Sequence, residues 1–168
     1  MKKQKIVLAH NIILLGLTAR TNNKNEMNPQ TSKIGMLAGK YWGEQIANQF
    51  KNRVQAGVTY SVYTEFESDE HGEYTYFIGE AVESLENQDL SKFKSIIIPA
   101  GTYQKFTTES GKMPEVVITA WQKIWKMTAE DFGGKRQYLA DFEVYDHRAL
   151  DPNNTVVDVY IGVSSWVG

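Results

Sequence analysis

YSVYTEF at residues 60–66 and DFEVYDH at residues 141–147 read as two versions of one short strand. Ser61-Val62-Tyr63-Thr64 is answered by Glu143-Val144-Tyr145-Asp146, and downstream Tyr76-Phe77-Ile78-Gly79 is answered by Val159-Tyr160-Ile161-Gly162. The Tyr63-to-Gly79 and Tyr145-to-Gly162 spacings differ by one residue. In the second copy, alternation places Leu139, Asp141, Glu143 and Tyr145 on one face of the strand and Ala140, Phe142 and Val144 on the other. The pattern leaves open which of these faces meets the rest of the protein.

The segments around the two copies repeat the same order of elements. Ile6 to Thr21 is rich in Ile, Val and Leu and reads as a strand bent at Gly16, followed by a polar loop to Pro29. Leu37, Tyr41 or Trp42, Ile46 and Phe50 then recur at helical spacing, with Thr31 or Ser32 as the expected cap and Gly57 as the stop. Tyr60 to Phe66 and Tyr74 to Ile78 flank Asp69-Glu70-His71-Gly72, a hairpin signal. After the connector Glu83 to Ser91, Phe93 to Phe106 reads as a strand punctuated by Pro99 and Gly101. Pro114 suits the first turn of a helix, and Val117, Ala120, Trp121 and Ile124 form its stripe, up to Gly133-Gly134. Tyr138 to Tyr145 and Val156 to Val163 make the last hairpin, joined through Asp151-Pro152-Asn153-Asn154. The reading is an α+β domain, residues 1–168, made of two βαββ units (6–82 and 93–163). An antiparallel sheet carries both long helices on one face.

Composition narrows the function. The chain has 168 residues, 42% of them hydrophobic and 23% charged, enough for one core without staples. With no cysteine, disulfides, zinc-thiolate sites and thiol catalysis are excluded. The net charge is −2 with no basic patch, so direct nucleic-acid binding is not expected. Lys2, Lys3 and Lys5 before an apolar stretch imitate a secretory signal, but His10 and Asn11 split that stretch, and it is too short to span a bilayer. A cytoplasmic chain with no membrane association is expected. His10, His71 and His147 lack metal-ligand spacing, and Asp146, Asp151 and Asp158 do not fit a calcium loop. Gly111-Lys112 is followed by Met113, so there is no P-loop. No metal or cofactor is expected.

The segment IIIPAGTYQKF (96–106), the helix pattern AWQKIW (120–125) and DFEVYD (141–146), followed by DPNN and VDVYIGV, occur in a connected order. Together they resemble the GyrI-like small-molecule-binding domain, the effector-binding domain of bacterial transcription activators. The resemblance implies a duplicated βαββ fold with a groove between the halves for lipophilic, often cationic, molecules. It implies aromatic walls and an acidic residue at the base of that groove, a role that falls to Glu143, with Tyr145, Tyr103 and Trp121 on matching elements. Trp42 and Tyr63 join them as aromatic candidates, since flat cations are attracted to ring faces. The activators carry a separate DNA-binding domain, and the stand-alone form is expected here. The leading expectation is a sensor or sequestering module for lipophilic, cationic compounds. Two alternatives stand beside it: a hydrolase of strained electrophilic natural products using Glu143 as its catalytic residue, and a protein-interaction module acting on DNA gyrase.

Overall fold

Alternating apolar residues and short polar turns set eight strands into one antiparallel sheet, and the computed structural model describes residues 1–164. The strands are β1 (Lys2–Leu8), β2 (Ile12–Thr21), β3 (Thr59–Thr64), β4 (Tyr74–Ala81), β5 (Lys94–Ile98), β6 (Gly101–Thr107), β7 (Ala140–Tyr145) and β8 (Asp158–Gly162). Their order is β1-β6-β8-β7-β3-β4-β2-β5. Exchanging β1 with β5, β2 with β6, β3 with β7 and β4 with β8 reverses this order and leaves it otherwise unchanged. The sheet therefore has a topological twofold, and it falls between β3 and β7.

Each half differs from the expected βαββ unit in its first strand. Residues 6–21 are not one strand bent at Gly16; they break at Ala9–Asn11, and residues 93–106 break at Pro99–Ala100. His10 and Asn11 are exposed at the first break, and at the second Pro99 has no N–H to give the ladder. The Asn11 side chain instead accepts the backbone N–H of Ala100 at 2.7 Å, tying the two breaks together. As a result each long strand is shared. β1 pairs with β6 of the second half, while β5 pairs with β2 of the first. Three-residue and two-residue links can join strands at opposite ends of the order only if the sheet curves until those ends are neighbours. Leu14, Ile98 and Tyr103 from the ends meet Val62, Phe77 and Phe142 from the middle in one cluster inside that curve.

The other face carries the helices. α1 (Asn23–Glu26) is a single turn, and α2 (Ile34–Gly43) follows it. The carboxylate of Glu26 accepts the backbone N–H groups of Lys33 and Ile34, each at 2.9 Å, so it does the capping expected of Thr31 or Ser32. α2 is also shorter than its stripe, because Gln45 takes a left-handed conformation (φ 50°) and Ile46–Gln49 continue as a 3-10 turn. Tyr41, Ile46 and Phe50 nevertheless reach the sheet at Tyr74, Tyr76 and Ile78. α3 (Glu115–Trp125) lays Ala120 and Ile124 on Phe106, Val159 and Ile161. It ends well before Gly133-Gly134. A separate turn, α4 (Ala129–Phe132), is capped by Thr128 and closed by Gly133 in the left-handed region (φ 68°).

Register fixes how the copies correspond. Ser61 lies opposite Glu143 across the β3–β7 pair. Within the halves, Ser61 faces Ile78 and Glu143 faces Val159, so Ile78 corresponds to Val159. The sequence echo set Tyr76 against Val159, two residues out. A slip of two keeps every side chain on its own face, and for this reason the echo still located the fold.

Candidate functional site

The strand β7 settles the face that alternation left open: Asp141, Glu143 and Tyr145 point to the helices, and Ala140 and Phe142 to the inside of the curve. Glu143 is only 2% exposed. Its Oε2 accepts the hydroxyl of Tyr63 at 2.8 Å and the indole N–H of Trp121 at 2.7 Å, and its Oε1 accepts the hydroxyl of Tyr145. Three elements thus converge on one carboxylate: β3 through Tyr63, α3 through Trp121, and β7 itself.

The aromatic rings form a crossed arrangement between the halves. Trp42 of α2 meets Tyr145 of the second half edge-on, with centroids 5.6 Å apart. Trp121 of α3 meets Tyr63 of the first half edge-on at 5.2 Å. Tyr63 also contacts Tyr76 at 5.5 Å, and Trp121 contacts Trp125 at 6.4 Å. Trp42 is 46% exposed and Trp121 half-buried, so the rings grade from the carboxylate outward to solvent. These rings fill the seam between the helices. Two clefts, of about 270 and 250 Å³, open beside α3 rather than over Glu143.

The electrostatics of Glu143 follow from its surroundings. Burial pushes its carboxyl above the ordinary carboxylate range, and the bonds from Tyr145, Trp121 and Tyr63 pull back against that shift without cancelling it. Tyr63 and Tyr145 are driven well above the usual phenol range, first by burial and then by the adjacent Glu143, so both remain donors. Other buried acids on this face have cations: Asp141 pairs with Arg136 at 2.7 Å and Glu80 with Arg53 at 3.4 Å. Among the described residues Glu143 has no ion-pair partner. An enclosed carboxylate of this kind costs several kcal/mol of lost hydration, partly offset by its three donors and relieved further by a proton or a positive charge.

Five of the six residues singled out from the sequence come together here: Glu143, Tyr145, Tyr63, Trp121 and Trp42. Tyr103 does not. It lies on the inner face of the sheet, 3% exposed, edge-on to Phe142, with its hydroxyl donated to the Pro99 carbonyl at 2.7 Å. The motif around it matched, but its place in the alternation of β6 puts the whole sheet between it and Glu143. Two residues were missed. Ser61 and Tyr76 lie on the helix face beside Glu143, with their hydroxyl oxygens 2.9 Å apart. The signal for Ser61 was present in the echo itself, which sets it against Glu143.

Among the described residues no cluster of three or more His, Asp or Glu could hold a metal ion, and no helix is long and apolar enough to cross a membrane.

Comparison with known proteins identifies the family and the fold. Residues 5–163 match the family described as Cass2, integron-associated effector binding protein. The chain is 26% identical to YobU of Bacillus subtilis (strain 168), named as a proposed transcriptional regulator, over 148 residues, 88% of this chain and 89% of that one. It superposes on the integron cassette protein VCH_CASS2 from the mobile metagenome of Vibrio cholerae with a TM-score of 0.74 and 29% identity, covering 97% of this chain and 95% of that one. SAV2435, solved bound to tetraphenylphosphonium, superposes with a TM-score of 0.74 at 18% identity, covering 98% and 94%. At that identity it speaks for the fold.

Proposed function

We propose that this chain, which belongs to the Cass2 family of integron-associated effector binding proteins, binds lipophilic organic cations at Glu143. The unit that does so is a single domain of two halves, residues 6–82 and 93–163. The observation that carries the reading is a buried carboxylate with aromatic donors and no cation of its own among the described residues. A ligand cation supplies the missing charge, while its aromatic groups pack against the rings of Trp42, Trp121, Tyr63 and Tyr145, each pair adding about 0.5–1.5 kcal/mol. Support comes from SAV2435, of the same fold, whose ligand tetraphenylphosphonium is a single positive charge wrapped in four phenyl groups. Two donors sit on Oε2 and one on Oε1, so a ligand reaches Glu143 either at the remaining side of Oε1 or by displacing a donor. Trp121 and Tyr63, the partly buried donors, lie in its path, and Tyr145 is buried.

The test is titration with tetraphenylphosphonium and with neutral triphenylphosphine oxide, followed by calorimetry and tryptophan fluorescence. The cation should bind, and Glu143→Gln should weaken it while leaving the neutral compound nearly unchanged. Equal affinity of both compounds for both proteins would overturn the reading.

One observation favours hydrolysis as a second reading: burial holds Glu143 toward the range of a general base. That role needs an oxygen free for water, so the variant Trp121→Phe, which removes one donor, should then raise turnover of an epoxide or similar electrophile. No turnover in either protein would dispose of it.

A further inference from the structure

We infer that the site is matched to one positive charge per ligand, and that Ser61 is the residue that sets this number; the inference rests on the cation-binding reading above. β3 and β7 are the central pair of a strand order that reads the same from both ends. Ser61 and Glu143 are register partners in that pair. Tyr63 and Tyr145, two residues further along their own strands, both donate to the Glu143 carboxylate. Each residue of the Ser61–Glu143 pair is therefore the other's counterpart in the opposite half, and the local twofold passes between them.

A symmetric site would carry two carboxylates facing each other at close range, as directly opposite residues of an antiparallel pair do. This chain carries one. Ser61 is 2% exposed and faces the same side, where its Oγ meets the Tyr76 hydroxyl at 2.9 Å. The other buried acids of that face are neutralised by Arg136 and Arg53. The floor of the site thus presents one unmatched negative charge among the described residues. A monocation satisfies it. A compact dication brings a second charge into the same enclosure with nothing to pair it, and burial of an unpaired charge is strongly opposed. The hydroxyl of Tyr76 is already placed to donate to an acid at position 61, as Tyr145 does to Glu143.

Three flat molecules of nearly equal shape separate the effects: neutral 4-methylbiphenyl, the monocation N-methyl-4-phenylpyridinium and the dication N,N′-dimethyl-4,4′-bipyridinium. Calorimetry with the wild-type chain should show the monocation bound at least tenfold more tightly than the dication. Ser61→Asp should narrow or invert that ratio, and Ser61→Asn, of equal size and no charge, should keep it. Equal binding of monocation and dication by the wild type would overturn the inference whatever the variants do. So would a ratio that Ser61→Asp moves no further than Ser61→Asn. A monocation bound no better than the neutral compound is a distinct result, since it would remove the cation-binding reading itself and this inference with it.

Discussion

The two halves share a strand order but not a chemistry, and three corresponding places show where they part. At the dyad, the first half has Ser61 and the second has Glu143. Over the sheet, α2 buries only Tyr41 and carries Gly35, Gly39 and Gly43 in ten residues, whereas α3 has no glycine, buries Ala120 and Ile124 and donates Trp121 to the carboxylate. Within the sheet, Gly79 pairs with Tyr60 and Gly16, while at the corresponding place Tyr160 pairs with Phe142 and Lys105. Backbone register is held by a ladder of hydrogen bonds that any residue except proline can make, so duplication preserves it. Side chains are free to diverge. In this chain the second half supplies the charge and the firmer helix, and the first supplies the lighter helix and an aromatic wall.

The sharpest break in the comparison is expected at the paired glycines. A Cβ on Gly79 would stand 2.1 Å from the Leu15 carbonyl oxygen and 2.6 Å from the Phe77 ring. Backbone cannot yield there without parting β2 from β4. Gly79→Ala should cost about 3 kcal/mol or more in urea unfolding, or prevent folding. Tyr160→Phe at the corresponding place should leave stability nearly unchanged, since its stacking on Phe142, with centroids 4.5 Å apart, depends on the ring alone. Similar losses at both positions would mean that the two ladders are more alike than the register indicates.

The second contrast is chemical. Glu143→Gln should lower affinity for a monocation by about 1–3 kcal/mol, read by calorimetry. Ser61→Ala, at the opposite place on the dyad, should change it far less. If the two changes had equal effects, the charge at the dyad would not be what binds the ligand.

Acidity distinguishes the same two positions. The folded-state carboxyl of Glu143 lies above the ordinary value of about 4.3 found in an unfolded chain. Between those values the folded protein holds a proton that the unfolded chain releases, so this group's contribution to stability falls as pH rises through the window. The slope is at most about 1.4 kcal/mol per pH unit. Glu143→Gln should remove that part of the slope in urea unfolding from pH 4 upward, while the parts from Asp141 and Glu80, raised mainly by burial, persist. Cation affinity of the wild type should rise with pH over the same window. Identical slopes in the two proteins would show that Glu143 titrates normally.

The smallest effect concerns the helices. Nothing lies within 4 Å of a Cβ built on Gly39. Gly39→Ala should therefore stabilise the fold by about 0.5–1 kcal/mol through helix propensity and chain entropy. In α3, Ala120→Gly should destabilise by at least that amount, because Ala120 is buried. A loss at Ala120 larger than the gain at Gly39 would show that α3 is packed more firmly than α2; equal magnitudes would show helix propensity alone.

Much of this was legible in the chain. Period-2 alternation in DFEVYD put Glu143 and Tyr145 on one face, and the helical stripe of Val117, Ala120, Trp121 and Ile124 gave α3, because both depend only on local geometry. The echo of Ser61–Thr64 in Glu143–Asp146 gave the duplication, since a copied strand keeps its alternation. The motif resemblance brought Glu143 forward as the acid. It could not place Tyr103, whose ring lies on the far side of the sheet from that acid. The crossing of edge strands, with β1 on the second half and β5 on the first, was equally hidden, because pairing between residues about 100 apart leaves no periodic mark on either segment. Sequence determined which residues share a face. Only the tertiary structure decided which face the helices cover, that Ser61 and Glu143 stand opposite each other, and that Tyr63, Tyr145 and Trp121 converge on one carboxylate, because each depends on a register set by contacts between distant parts of the chain.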